Sequence, residues 1–130
     1  MGTRSRIGVM HGDKLKSVYC HWDGYLSHNG RILQESYDSA KANHLVALGY
    51  LSSLKAEIED CTFYGRDRDE TDVDFDVDQS FEEFLGKDYD YEFCYIMNDG
   101  VWYVGVGYET HGMVPGQLYV LSEQLAKVTA

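Results

Sequence analysis

Arg4-Ser-Arg-Ile-Gly-Val-Met-His11, then Gly12-Asp13-Lys14, then Leu15-Lys-Ser-Val-Tyr-Cys-His-Trp22 is the run from which the architecture is read. Two strand-like runs either side of a Gly-Asp turn signal read as a β-hairpin. With a loop of two or four residues, Ile7 and Val9 share a face with Val18, Cys20 and Trp22. That face is apolar and is expected to be core. The opposite face then carries Arg4, Arg6, Tyr19 and His21. A slip of one residue would turn the basic side chains inward, so the apolar pattern selects the first pairing.

A second hairpin is read over 90–97 and 101–108, with Asn98-Asp99-Gly100 as its turn and β-branched and aromatic flanks. Between the hairpins, Ser27 or Asn29 is placed to cap a helix over 29–37. Asp38 is placed to cap another over 39–48, ending at Gly49. Leu51 and Leu54 read as a short apolar turn. Ser80-Phe-Glu-Glu83 has capping-box spacing and predicts a short helix over 81–85. Leu118, Leu121, Leu125 and Val128 recur at helical spacing and predict a terminal helix over 117–128. The expected class is α+β: an antiparallel sheet built from two β-hairpins, with helices packed on one face.

The chain has 130 residues, which predicts a single domain over 1–130. No apolar run approaches the ~18 residues of a membrane span. Arg4 and Arg6 are followed by Gly8, His11 and Asp13, which does not read as a signal peptide. Cys20, Cys61 and Cys94 are few and widely spaced, as in a protein of a reducing compartment. A cytoplasmic location is therefore expected.

The net charge is −11, and it is regional. Residues 57–92 hold fifteen acids and three bases, a net of −12 in 36 residues; the rest of the chain has seven acids and eight bases. Direct binding to nucleic acid is not expected, because phosphates call for Lys and Arg. Within this acidic segment, Asp72-Val-Asp-Phe-Asp-Val-Asp78 alternates strictly. It reads as a strand with Val73, Phe75 and Val77 inward and four aspartates outward. Acids at every second position fall ~6.5–7 Å apart, close to the phosphate spacing of a nucleic-acid strand. With Asp67, Asp69, Glu70, Glu82 and Glu83, the aspartates Asp72, Asp74, Asp76 and Asp78 form the candidate partner-binding surface. Tyr64, Phe63 or Tyr89 would be its aromatic anchors. A calcium loop from Asp72 to Glu83 is disfavoured by Val77, where the loop needs glycine.

Other chemistry is less well supported. Adjacent strand residues point to opposite faces, so Cys20 and His21 do not pair as nucleophile and base. The five histidines show no metal-ligand spacing. No enzyme, cofactor or metal is expected. Arg4, Arg6, Tyr19 and His21 form an alternative candidate, a face able to hold a nucleotide or another small anion. The plainer reading of that face is a solvated sheet face, or one covered by the acidic segment through ordinary ion pairs.

Thr3-Arg-Ser-Arg-Ile-Gly8, Ser17-Val-Tyr-Cys-His-Trp-Asp-Gly-Tyr25 with Asn29-Gly30, and Asp90-Tyr-Glu-Phe-Cys-Tyr-Ile-Met-Asn-Asp-Gly-Val-Trp-Tyr103 resemble a family of small phage and prophage proteins. The resemblance covers somewhat under half of the chain and implies a viral origin and host cytoplasm. It carries over no catalytic residue. Joined to the charge asymmetry, it leads to the expected function. This is a small acidic phage-encoded protein that binds and inhibits a host protein with a basic surface. The host protein would be an antiviral-defence or nucleic-acid-binding factor, met through a surface that mimics nucleic acid. The alternative is a module that binds or sequesters a small ligand. The sequence leaves the oligomeric state open.

Overall fold

A computed structural model describes residues 3–67, 75–87 and 89–129, apart from the side chains of Arg66 and Thr129. Among them, eight strands form one sheet: β1 (Ser5–His11), β2 (Lys14–Cys20), β3 (Leu51–Ser53), β4 (Thr62–Phe63), β5 (Asp76–Asp78), β6 (Phe93–Asn98), β7 (Val101–Val106) and β8 (Tyr119–Val120). The order across the sheet is β4-β3-β2-β1-β6-β7-β8, with β5 alongside β2. The helices are α1 (Arg31–Ser36), α2 (Ser39–Ala47), α3 (Tyr64–Asp67), α4 (Phe81–Gly86) and α5 (Leu121–Thr129).

The class is α+β, but the sheet is mixed rather than antiparallel. β1 runs parallel to β6, and β2 parallel to β3. Antiparallel pairs join β1 to β2, β6 to β7, β7 to β8, β3 to β4 and β2 to β5. The first reversal is the two-residue Gly12-Asp13 loop, with Gly12 at φ +64°. The second has Asp99 at φ +51° and Gly100 at φ +79°, the pair of left-handed residues a type I′ turn needs.

Ile7 lies opposite Val18, and Arg6 opposite Tyr19. One face of the sheet buries Ile7, Val9, Val18, Tyr95 and Val104 against Leu33, Leu45, Leu121 and Leu125 of the helices. Fully burying each such side chain stabilises by roughly 1.5–3 kcal/mol. The other face is also covered. Leu15, Cys94 and Ile96 pack with Phe84 of α4, flanked by Phe81, Tyr89 and Tyr91. Helices therefore cover both faces, not one. The cover on the second face is the acidic segment itself.

Local signals and outcomes differ in instructive ways. Asp38 caps α2, its side chain accepting from Lys41 N at 2.8 Å; Ser80 caps α4, accepting from Glu83 N at 3.1 Å. The helix expected over 29–37 is a π-helical turn at Leu26–Gly30 running into α1, with no side-chain cap. Asn29 is fully buried and is spent on tertiary bonds instead. Leu51 belongs to β3 rather than a turn, and the terminal helix starts at Leu121 because Tyr119–Val120 pair with β7. Trp22, expected in the core, is exposed.

The three cysteines are free and buried. Burial pushes the Cys20 and Cys94 thiols up to about 12. A pKa raised in the folded state means stability present below the unfolded value of 9.0 and lost as pH climbs from there toward 12. Native protein at pH 8 is thus expected to resist iodoacetamide, with all three thiols reacting in urea; labelling at free-thiol rates before unfolding would contradict this burial.

Candidate functional site

Arg6 sits within β1 on the face that α4 covers. Its side chain is only 5% exposed. Nε and Nη2 donate to Ser17 Oγ at 3.3 and 3.0 Å, and Nη2 also to the Ser17 carbonyl at 3.3 Å. Nη2 meets Asp76 Oδ2 at 2.5 Å. The guanidinium carbon lies 4.0 Å from the ring centre of Tyr89 and 5.6 Å from that of Tyr50. A buried cation needs this complement of carboxylate, hydroxyl and ring faces to offset its lost hydration.

The two tyrosines also bond the acids. The Tyr50 hydroxyl donates to Asp76 Oδ2, and the Tyr89 hydroxyl donates to Asp78 Oδ2 at 3.1 Å. Burial first, then the Asp76 carboxylate, pushes the Tyr50 phenol up. Burial first, then Asp76 and Asp78, pushes Tyr89 well up. Both therefore stay protonated and act as donors at neutral pH. Asp78 is fully buried, with Lys87 Nζ 2.7 Å from Oδ1. The ammonium is the charge that compensates this buried oxygen, and the carboxylate in turn pushes the Lys87 pKa up.

This geometry reverses the expected faces of the acidic strand. Asp78 points into the molecule and Asp76 is half-buried, while Phe75 and Val77 are 42% and 44% exposed. The register is the cause: Asp76 lies opposite Ser17 and Asp78 opposite Leu15, which puts both carboxylates on the side of Arg6. Pairing with Arg6 and Lys87 outweighs burial of a valine and a phenylalanine at an edge position. Asp69, Glu70, Asp72 and Asp74 lie outside the described residues. Asp67, Glu82 and Glu83 are exposed. Asp67 Oδ2 accepts from Phe63 N at 2.8 Å, and Glu83 Oε2 from Gln79 N at 2.5 Å.

The alternative candidate face is assembled but occupied. Arg6 is buried, and the Asp76 carboxylate stands where a small anion would bind. Arg4 pairs with Asp90 at 3.5 Å, and the Tyr19 hydroxyl lies 2.6 Å from His21 Nδ1. Of the expected anchors, Phe63 is core and Tyr89 covers Arg6. Among the described residues no group of three metal-ligating side chains comes together, and no helix is long and apolar enough to cross a membrane.

The chain finds no match among family models, curated proteins or solved structures.

The site therefore rests on the chain's own geometry. One cleft, of about 800 Å³, lies where α1 meets α2 beside the β6–β7 turn, with Trp102 and Met97 among its lining and Glu35 and Asp38 beside them. A second feature is the segment after β2. Asp23 adopts φ +58°, and Gly24 N donates to the Thr3 carbonyl at 2.8 Å. The Tyr95 hydroxyl donates to the Gly24 carbonyl at 2.5 Å, and Asn29 Nδ2 to the Trp22 carbonyl at 3.2 Å. A Cβ on Gly24 would lie 2.8 Å from both Ser5 Cβ and the Thr3 oxygen. Gly24→Ala is expected to cost about 1–3 kcal/mol through overpacking, read as a lower melting temperature; an unchanged melting temperature would show that the backbone yields there. Sequence reasoning missed Ser17 and Tyr50 around Arg6, and gave Tyr89 the role of a partner anchor rather than that of a cover for Arg6. Ser17 was accessible from the hairpin register, two positions from Tyr19 on the same face. Tyr50 had no local signal, since its place depends on β3 joining β2.

Proposed function

We propose that this is a small acidic protein of phage origin that binds and inhibits a host protein bearing a basic surface, such as an antiviral-defence or nucleic-acid-binding factor. The observation that carries the reading is a division among the acids of 57–92. Asp76 and Asp78 are consumed internally by Arg6 and Lys87. Asp67, Glu82 and Glu83 remain on the surface, as do Glu57, Glu59 and Asp60. Exposed acids of one sign attract a basic partner over about a Debye length and speed its association in a salt-dependent way. The nucleic-acid-like comb of four outward aspartates is not part of this reading, because Asp76 and Asp78 face inward.

Affinity capture from host lysate tests it, with wild type against Asp67→Asn/Glu82→Gln/Glu83→Gln. The amides keep the acceptor oxygens that Phe63 N and Gln79 N use. One basic protein enriched by wild type and lost with the variant is the expected outcome. The same partners on both baits would remove these acids from the recognition surface.

A further inference from the structure

We propose that the end of the sheet where β1 and β6 begin is a docking surface for an arginine-bearing segment of a protein partner, anchored on Trp22, Tyr25 and Tyr108. This rests on the reading of the chain as a binder of basic partners, and it supplies the anchors that Phe63 and Tyr89 do not.

Pairing register places the surface. Cys20 lies opposite Ser5, Ser5 beside Phe93, and Phe93 opposite Val106. These four form one row across β2, β1, β6 and β7, so the residues flanking them emerge at one end. Three inter-strand spacings separate β2 from β7, about 14 Å. Trp22 and Tyr25 leave β2 at this end, and Tyr108 leaves β7; they are 44%, 40% and 51% exposed. Large aromatics left in water at one end of a small domain have the composition of binding hot spots. They are also held ready. The left-handed Asp23, the buried Asn29 side chain and the Tyr95–Gly24 bond fix the loop carrying Trp22 and Tyr25. A preorganised loop loses little entropy on binding.

Charge selects the occupant. The residues flanking the row, at 3–4, 21–23, 90–92 and 107–109, include Asp23, Asp90, Glu92 and Glu109. Arg4 is the one Lys or Arg among them, and Asp90 already pairs with it. An end of the sheet that carries both exposed aromatics and carboxylates suits a guanidinium better than an ammonium, because the planar group can stack on one and pair with the other. The protein's interior uses the same chemistry: Arg6 lies against Tyr89 and Tyr50 with Asp76 as its carboxylate.

The test is calorimetric titration of the full chain with a hexa-arginine peptide at low salt. The Trp22→Ser/Tyr108→Ser variant is expected to bind about tenfold more weakly or worse than wild type, with hexa-lysine weaker than hexa-arginine on wild type. Acrylamide quenching of wild type gives a readout that needs no variant. Trp22 is exposed and Trp102 buried, so the quenchable emission is that of Trp22, and hexa-arginine is expected to protect it. Binding that ignores the aromatic variant but is lost with Asp67→Asn/Glu82→Gln/Glu83→Gln would overturn this surface and leave the acidic-surface reading standing. Unprotected Trp22 emission in the bound state would overturn it equally. No binding to wild type would count against both.

Discussion

Arg6→Ala is expected to lower the free energy of unfolding by about 3–5 kcal/mol, the usual cost of removing one partner from a buried ion pair. The substitution leaves the Asp76 carboxylate half-buried with Tyr50 as its remaining donor. It also empties the space between the rings of Tyr50 and Tyr89 and strips Ser17 of its donor. Replacing the pair together is expected to behave differently. Arg6→Met/Asp76→Leu removes both charges and keeps the volume, so it should recover most of the loss. Urea midpoints at constant slope measure both. A loss under about 1 kcal/mol for Arg6→Ala would mean that the internal pair does not hold β5 against the sheet.

Lys87 and Asp78 should show an asymmetry. Asp78 is fully buried, whereas Lys87 reaches it from a partly exposed position. Lys87→Met strands a buried carboxylate by removing the ammonium that meets its Oδ1 at 2.7 Å. A clear fall in the urea midpoint is expected, tempered because Tyr89 still donates to Oδ2. Asp78→Asn should cost less, about 1 kcal/mol, since the ammonium returns to water and the amide still accepts from Tyr89. Equal losses, or a larger one for Asp78→Asn, would show that Lys87 does little for the buried acid.

Much of the local structure was legible in the residues. Asp38 and Ser80 cap helices through side-chain oxygens suited to that task. Asp99-Gly100 accepts the positive φ of a tight turn. The parallel pairing of β1 with β6 was harder to see. Its signal was the unbroken apolar run Phe93-Cys-Tyr-Ile-Met97, buried throughout and therefore covered on both faces. Over the described residues Phe75-Asp-Val-Asp78, alternation told which residues share a side, but not which side faces in. Arg6 and Lys87 made that choice, and neither is local to the strand. The same fact divides the candidate site. Glu82 and Glu83 stay outside because Ser80 starts a helix whose inner residue is Phe84.

The central claim is that surface acids, not the internal ones, recruit a basic partner. Its most direct test is the affinity of the captured partner for wild type and for Asp67→Asn/Glu82→Gln/Glu83→Gln across a range of salt. Wild-type affinity should fall steeply as salt rises, and the variant should bind weakly with a shallow dependence. Equal affinity and equal salt slope for the two proteins would contradict the claim.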